Sequence, residues 1–112
     1  MITLVIILNK EEYLDEVLST MVKFKVKGAT IIDSQGMGSA IVSGDYQHIP
    51  LFGALRYLVN EKHPYNKTIF SVVKEEILED LTTAIRNIFN EKKPGIGFMF
   101  TVPVGNIYLL DK

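Results

Sequence analysis

The chain lacks cysteine, a strong net charge and any apolar run long enough to cross a membrane. Without cysteine, disulfide bonds and cysteine-ligated metal sites are excluded. The 12 Lys and Arg residues nearly balance 13 Asp and Glu, which argues against general electrostatic binding of nucleic acid. The apolar run at residues 2–8 is too short for a membrane span, and no basic signal-peptide segment precedes it. We therefore expect a cytoplasmic protein that does not bind nucleic acid.

What the chain does contain is the pattern of one folded domain over residues 1–112, with 47% hydrophobic residues. Apolar residues three and four apart predict two amphipathic helices. The first is capped by Asn9 and stopped by Gly28, and the second carries its apolar stripe over residues 77–89. Runs of β-branched and apolar residues predict strands at residues 2–8, 29–34, 68–73 and 98–103, and a short fifth strand at 106–110.

This order, β-α-β, a long connection, then β-α-β, predicts an α+β ferredoxin-like fold with both helices on one face of an antiparallel sheet. In a monomer the other face would be wet, and its residues should be polar. Instead, Val5 and Ile7 lie opposite the Leu4 side of the first strand, and Phe98 and Met99 point to opposite sides of the fourth. Both faces are therefore apolar, and self-association is the simplest way to cover the second.

The connection between the second and third strands spans roughly thirty residues, where a hairpin of about 2–5 would suffice. Apolar residues at helical spacing, beginning with Leu51 and Phe52, predict a short helix over about 51–61. Residues 39–50, which include Tyr46 and His48, are expected to form the mobile part. Two interpretations stay open: a loop that binds a partner, or an insertion that packs on its own subunit or braces an oligomer.

Two glycine-punctuated segments suggest a ligand site closed by two loops. The first is GATIIDSQGMG at residues 28–38, and the second is KKPGIGFMFTVPVGNIYLL at residues 92–110. Glycine permits positive φ and close approach to the backbone. Successive free N–H groups in such turns can form a nest for an anion. The alternative is ordinary turn geometry without a ligand.

Together these segments resemble the PII signal-transduction family. The first motif carries Gly28, Thr30, Gly36 and Gly38, and the resemblance covers nearly the whole chain except residues 39–66. The second motif carries Gly95, Gly97, Phe100, Pro103 and Val104. The resemblance implies a compact homotrimer whose sheets face inward. It also implies a regulatory protein rather than an enzyme.

The resemblance further implies an adenine-nucleotide effector bound between subunits and a partner protein controlled by the T-loop at about residues 36–66. The partner would often be a membrane transporter or a metabolic enzyme. Residues implied for the loop contact with the partner are Tyr46, His48, Leu51 and Phe52. Residues implied for the ligand are Thr30 and Val72 at the adenine, Gly36, Met37 and Gly38 at the ribose and phosphates, and Gly95, Ile96 and Gly97 at a phosphate.

The chain departs from the family where cations hold a triphosphate. Phe98 stands where ATP-binding members have lysine, and Ala40 where a glutamine helps hold magnesium and 2-oxoglutarate. Leu109, Leu110 and Asp111 occupy the last strand, where members carry arginines. Lys67, Lys92 and Lys93 would compensate only in part. AMP, ADP or a cyclic nucleotide is therefore favoured over ATP.

Two other functional classes remain as alternatives. A CutA-like metal-binding trimer would need converging ligands, but the only histidines, His48 and His63, lie fifteen residues apart without such a cluster, so no metal site is predicted. An oligomeric interaction module without a ligand is the other. No paired carboxylates and no spacing of a nucleophile with its base point to catalysis.

Overall fold

The computed structural model describes residues 1–38, 65–90 and 94–111. Their elements follow the predicted order, and four strands form one antiparallel sheet in the order β2-β3-β1-β4. The α+β ferredoxin-like prediction is confirmed. The elements are β1 (Ile2–Leu8), a 3-10 turn (Glu11–Tyr13), α1 (Leu14–Lys23), β2 (Thr30–Ser34), β3 (Asn66–Val73), α2 (Glu75–Ile88) and β4 (Gly97–Pro103).

One face of the sheet packs against both helices and forms the core. In β1 the alternation of side chains buries Leu4, Ile6 and Leu8, and Ile69 of β3 lies directly beside Ile6. Both helices contribute one buried stripe each to the same cluster. The stripes are Val17 and Met21 from α1, and Leu81 and Ile85 from α2.

A single polar side chain, Ser71, is buried among these apolar residues of the described chain, with 4% of its surface exposed. Its hydroxyl donates a hydrogen bond to the carbonyl oxygen of Gly28. Burial of a hydroxyl is tolerated when it is hydrogen-bonded. The bond also attaches the segment before β2 to the core strand β3.

The opposite face, here called the open face, is uncharged at every position that the strand register assigns to it. The described residues place no helix over it, and Phe98, Phe100 and Val72 are exposed there. The rings of Phe98 and Phe100 stack with their centroids 6.1 Å apart. The open face consists of Thr3, Val5, Ile7, Thr30, Ile32, Ser34, Asn66, Thr68, Phe70, Val72, Phe98, Phe100 and Val102. The sequence-based prediction of two apolar faces is thus confirmed.

Three local predictions were wrong. The helix does not begin at an Asn9 cap, because a 3-10 turn precedes α1 and the Asn9 side chain bonds to Gly95. Gly28 does not end α1; the helix stops at Lys23, and Lys25 takes a left-handed conformation with φ 63°. Residues 106–110 form no strand.

No helix among the described residues has the length and apolar composition that crossing a membrane requires. The partner-loop residues Tyr46, His48, Leu51 and Phe52, together with the predicted helix at 51–61, lie outside the described residues.

Candidate functional site

The two glycine segments leave the sheet at the same end, here called the loop end. Strand β2 ends at Ser34, which pairs with Asn66 at the start of β3. Strand β1 ends at Leu8, which pairs with Gly97 at the start of β4. In the strand order β2-β3-β1-β4 these two strand ends lie at opposite edges of the same end of the sheet, three strand spacings or about 14 Å apart, with the ends of β3 and β1 between them.

The turn of Gly95, Ile96 and Gly97 is docked on the end of β1. Gly95 and Gly97 have φ of 93° and 147°, values that other residues rarely adopt. A Cβ on Gly97 would lie 1.9 Å from the carbonyl oxygen of Ile7, so no larger residue fits there. At Gly97, therefore, the fold itself demands glycine.

Asn9 holds this turn through two hydrogen bonds. Its backbone N–H donates to the carbonyl oxygen of Ile96 at 2.7 Å, and its side-chain amide donates to that of Gly95 at 3.2 Å. Among the described residues, no hydrogen bond uses the backbone N–H of Gly95 or Ile96. The turn thus has its carbonyl oxygens bonded to Asn9, while the N–H groups of Gly95 and Ile96, the kind of group that forms an anion-binding nest, have no bond to the described residues.

Gly36 presents a contrast at the base of the long connection. It does not have a positive φ, and among the described residues a Cβ on it would meet only the Asn66 side chain, at 4.0 Å. The described part of the chain therefore gives no steric reason for glycine at this position. Met37, next to it, is exposed, and Gly38 is the last described residue before the gap.

Polar side chains link the two segments across the loop end. The Asn66 amide donates to Oδ1 of Asn9 at 3.3 Å, and the Ser34 hydroxyl donates to Oδ1 of Asn66. The hydroxyls of Ser34 and Thr68 are also hydrogen-bonded, at 2.6 Å. This series joins the end of β2 to Asn9, and through Asn9 to the carbonyl of Gly95.

A lysine at the loop end already has its charge matched. The Lys67 ammonium group bonds to Asp33 and lies 3.6 Å from a carboxylate oxygen of Glu11. The hydrogen bond that the Lys67 ammonium donates to Asp33, together with the two negative charges, raises the pKa of Lys67 above 10.5 despite an opposing desolvation effect. Because one cation faces two carboxylates, this group does not supply spare positive charge for a phosphate. Lys92 and Lys93 lie outside the described residues.

Thr30 and Val72 are not brought to the loop end. Thr30 begins β2, four residues before Ser34, which corresponds to about 13 Å along a strand. Val72 pairs with Thr3 near the far end of β3, and both predicted adenine contacts lie on the open face. Within one chain the predicted ligand residues therefore form two separate groups.

The residues that replace the family's cations lie as follows. Phe98 points to the open face with 61% of its surface exposed, and Leu109 and Leu110 are also exposed. Ala40 lies outside the described residues, as do His48 and His63. The described residues contain no cluster of three or more potential metal ligands.

The importance of Asn9 and Asn66 was missed by sequence reasoning. Asn9 follows a strand and precedes a helix, a pattern that favours capping, and Asn66 falls just outside the strand predicted at 68–73. Only the register that places Ser34 beside Asn66 reveals that the two amides meet. An asparagine at each strand–loop junction was the one available signal.

A search of curated proteins returned no match. A family model described as nitrogen regulatory protein P-II matches residues 1–111, almost the full length. The matched span contains both glycine segments and every element of the sheet that brings them together. The chain therefore belongs to the P-II nitrogen regulatory protein family.

Proposed function

We propose that this regulatory protein is a homotrimer that binds an adenine nucleotide between subunits and controls a partner protein through residues 36–66. AMP, ADP or a cyclic nucleotide is preferred over ATP. The observation that carries the proposal is that the Gly36 segment and the Gly95–Gly97 turn leave the sheet at the same end, where hydrogen bonds through Asn66 and Asn9 connect them. Backbone N–H groups of this turn could donate to a nucleotide phosphate, because its carbonyl oxygens are already bonded to Asn9.

Gly36 supports a ligand more directly than Gly97 does. Gly97 is accounted for by its φ and by the Ile7 carbonyl, whereas Gly36 has no positive φ and no described residue within 4 Å of a Cβ except the Asn66 side chain, at 4.0 Å. Close approach of a ligand to the backbone is a reason for glycine that does not depend on local sterics. The same position is the first residue of the T-loop by the family pattern.

The preference for a less charged ligand follows from the side chains around the loop end. Lys67 is held by Asp33 and Glu11, and Phe98 offers an apolar ring in place of a cation. Neutralising a triphosphate needs several positive charges or a metal ion. AMP, ADP and cyclic nucleotides carry fewer charges and can be held mainly by backbone N–H groups.

The uncharged open face supports the trimer, because members of this family are typically homotrimers and an exposed apolar sheet face marks an interaction surface. A second copy also solves the separation of the ligand residues. Thr30 and Val72 of one subunit can meet the Gly36 and Gly95–Gly97 segments of another across a shared cleft.

The test is isothermal calorimetry on the purified oligomer with AMP, ADP, ATP, cyclic AMP, cyclic di-AMP and 2-oxoglutarate, each with and without Mg²⁺. A ligand at one hundred times its Kd should also stabilise the fold by about 2.7 kcal/mol. Gly36→Leu should abolish nucleotide binding. Gly105→Leu, at a glycine with open space around it and no positive φ, is the matched control.

Three results would contradict the proposal. If none of these compounds binds, the protein is an oligomeric interaction module without a ligand. Stabilisation by a divalent metal alone would favour a CutA-like protein. A monomer in analytical ultracentrifugation would reject the subunit cleft.

A further inference from the structure

We propose that Asn9 and Asn66 are positioning residues that couple the conformation of the Gly95–Gly97 turn to that of Gly36 at the base of the long connection. This inference rests on the proposed function for its ligand, but the coupling itself is a property of the free chain. It is carried by the series of hydrogen bonds across the loop end.

The chemistry of the donors and acceptors allows each amide of this series only one orientation. A backbone carbonyl can only accept, so the Asn9 amide must turn its nitrogen toward Gly95. The Asn9 oxygen then faces Asn66 and can only accept, so Asn66 must turn its nitrogen toward Asn9.

The same logic continues to the end of β2. With its nitrogen committed to Asn9, Asn66 presents its oxygen to Ser34, whose hydroxyl must donate. The Ser34 hydroxyl also lies 3.4 Å from the backbone carbonyl oxygen of Asn66 and 2.6 Å from the Thr68 hydroxyl. One acceptor, the Gly95 carbonyl, thus sets the orientation of the two amides, and the Ser34 hydroxyl donates to the second of them.

This arrangement makes the position of each amide depend on that of its neighbour. If either amide turns over, two oxygens or two nitrogens face each other and a bond of the series is lost. A displacement of the Gly95 carbonyl is therefore followed by a shift of both amides in their present orientation. An anion that draws the N–H groups of the turn toward itself rotates the adjoining peptide planes, including the one that carries the Gly95 carbonyl. This rotation displaces the Asn9 amide and, through it, the Asn66 amide, whose nitrogen would lie 4.0 Å from a Cβ on Gly36.

The experiment is a double-mutant cycle with Asn9→Ala, Asn66→Ala and the double variant, followed by the NMR amide signals of Gly36, Gly95 and Gly97 in the free protein. Asn9→Ala should shift the Gly36 signal, although no bond joins these residues. Asn66→Ala should shift the signals of Gly95 and Gly97. The double variant should resemble the single variants rather than their sum.

A matched control is Asn106→Ala, which removes an exposed amide that donates to the Tyr108 hydroxyl at 3.3 Å, the same length as the Asn66–Asn9 bond. It should leave all three glycine signals in place. Asn66→Asp should act like Asn66→Ala on Gly95, because a carboxylate cannot donate to the Asn9 oxygen.

Nucleotide affinity gives the second readout. Each alanine variant should weaken the best nucleotide by about fivefold, and the double variant should be no weaker than the worse single one. The coupling would be overturned, even if nucleotide binds, by purely local effects. In that case Asn9→Ala would shift only the NMR signals of the Gly95–Gly97 turn, and Asn66→Ala only that of Gly36. Absence of nucleotide binding in the unmodified protein would reject the proposed function, while the NMR cycle would still decide the coupling.

Discussion

The two glycine segments look alike in the sequence but differ in what the fold asks of them. At Gly97 the backbone has φ 147° and the Ile7 carbonyl occupies the place of a side chain. At Gly28 and Gly36 the φ is not positive, and a Cβ would meet no described residue closer than 4.0 Å. The comparison separates a glycine that the fold requires from two glycines for which the described residues give no steric reason.

The largest effect should come from placing a side chain at Gly97. We expect Gly97→Ala to destabilise the protein by about 3 kcal/mol or more, because backbone strain adds to a steric clash with β1. Gly95→Ala is the matched control: its φ of 93° is strained, but nothing lies within 4 Å, so about 1–2 kcal/mol is expected. Urea denaturation measures both, and equal losses would show that strain alone is responsible.

A smaller effect should appear where the first segment is attached by its backbone. Ser71→Ala leaves the Gly28 carbonyl without its buried donor, and we expect a loss of about 1–3 kcal/mol. Gly28→Ala keeps the carbonyl and should change stability by less than about 1 kcal/mol. Thermal unfolding measures both variants. A larger loss of stability in Gly28→Ala than in Ser71→Ala would contradict the conclusion that a side chain is tolerated at Gly28.

Gly36 should separate stability from binding. Gly36→Ala is expected to change the free energy of unfolding by less than about 1 kcal/mol, since a Cβ has room and the φ is ordinary. The same variant should reduce nucleotide affinity by about tenfold if the ligand approaches the backbone there. Calorimetry measures the affinity and denaturation the free energy of unfolding on one protein sample. A large loss of stability would show that the fold requires glycine at position 36, as it does at Gly97.

The smallest effect concerns Lys67, which joins Asp33 of the first segment to Glu11. Its pKa is raised in the folded protein, so its contribution to stability is present below pH 10.5 and is lost as the pH rises through the folded value. Lys67→Met should therefore be less stable than the unmodified protein at pH 7, with the difference disappearing at strongly alkaline pH and shrinking in 1 M salt. Lys27→Met, at an exposed lysine without an ion pair in the described residues, should show neither trend.

Much of the fold was predictable because its signals are local. The periodicity of residues 77–89 and the alternation in β1 depend only on neighbours in the chain, and both were confirmed. Asn9 and Gly28 were misassigned because both are involved in contacts distant in sequence, with Gly95 and with Ser71. Caps and stops predicted from residue type alone cannot register such competition.

By itself, the sequence determined the class of fold, the two helices on one face of the sheet and the apolar residues of the other face. Each of these follows from hydrophobic periodicity, which depends only on the order of residues along the chain. It also marked the glycines. Only the tertiary structure decided which glycine is sterically required, that Lys67 is already paired, and that Asn9 and Asn66 meet. These properties depend on strand register and on distances between residues far apart in sequence, and neither quantity is contained in local pattern or composition.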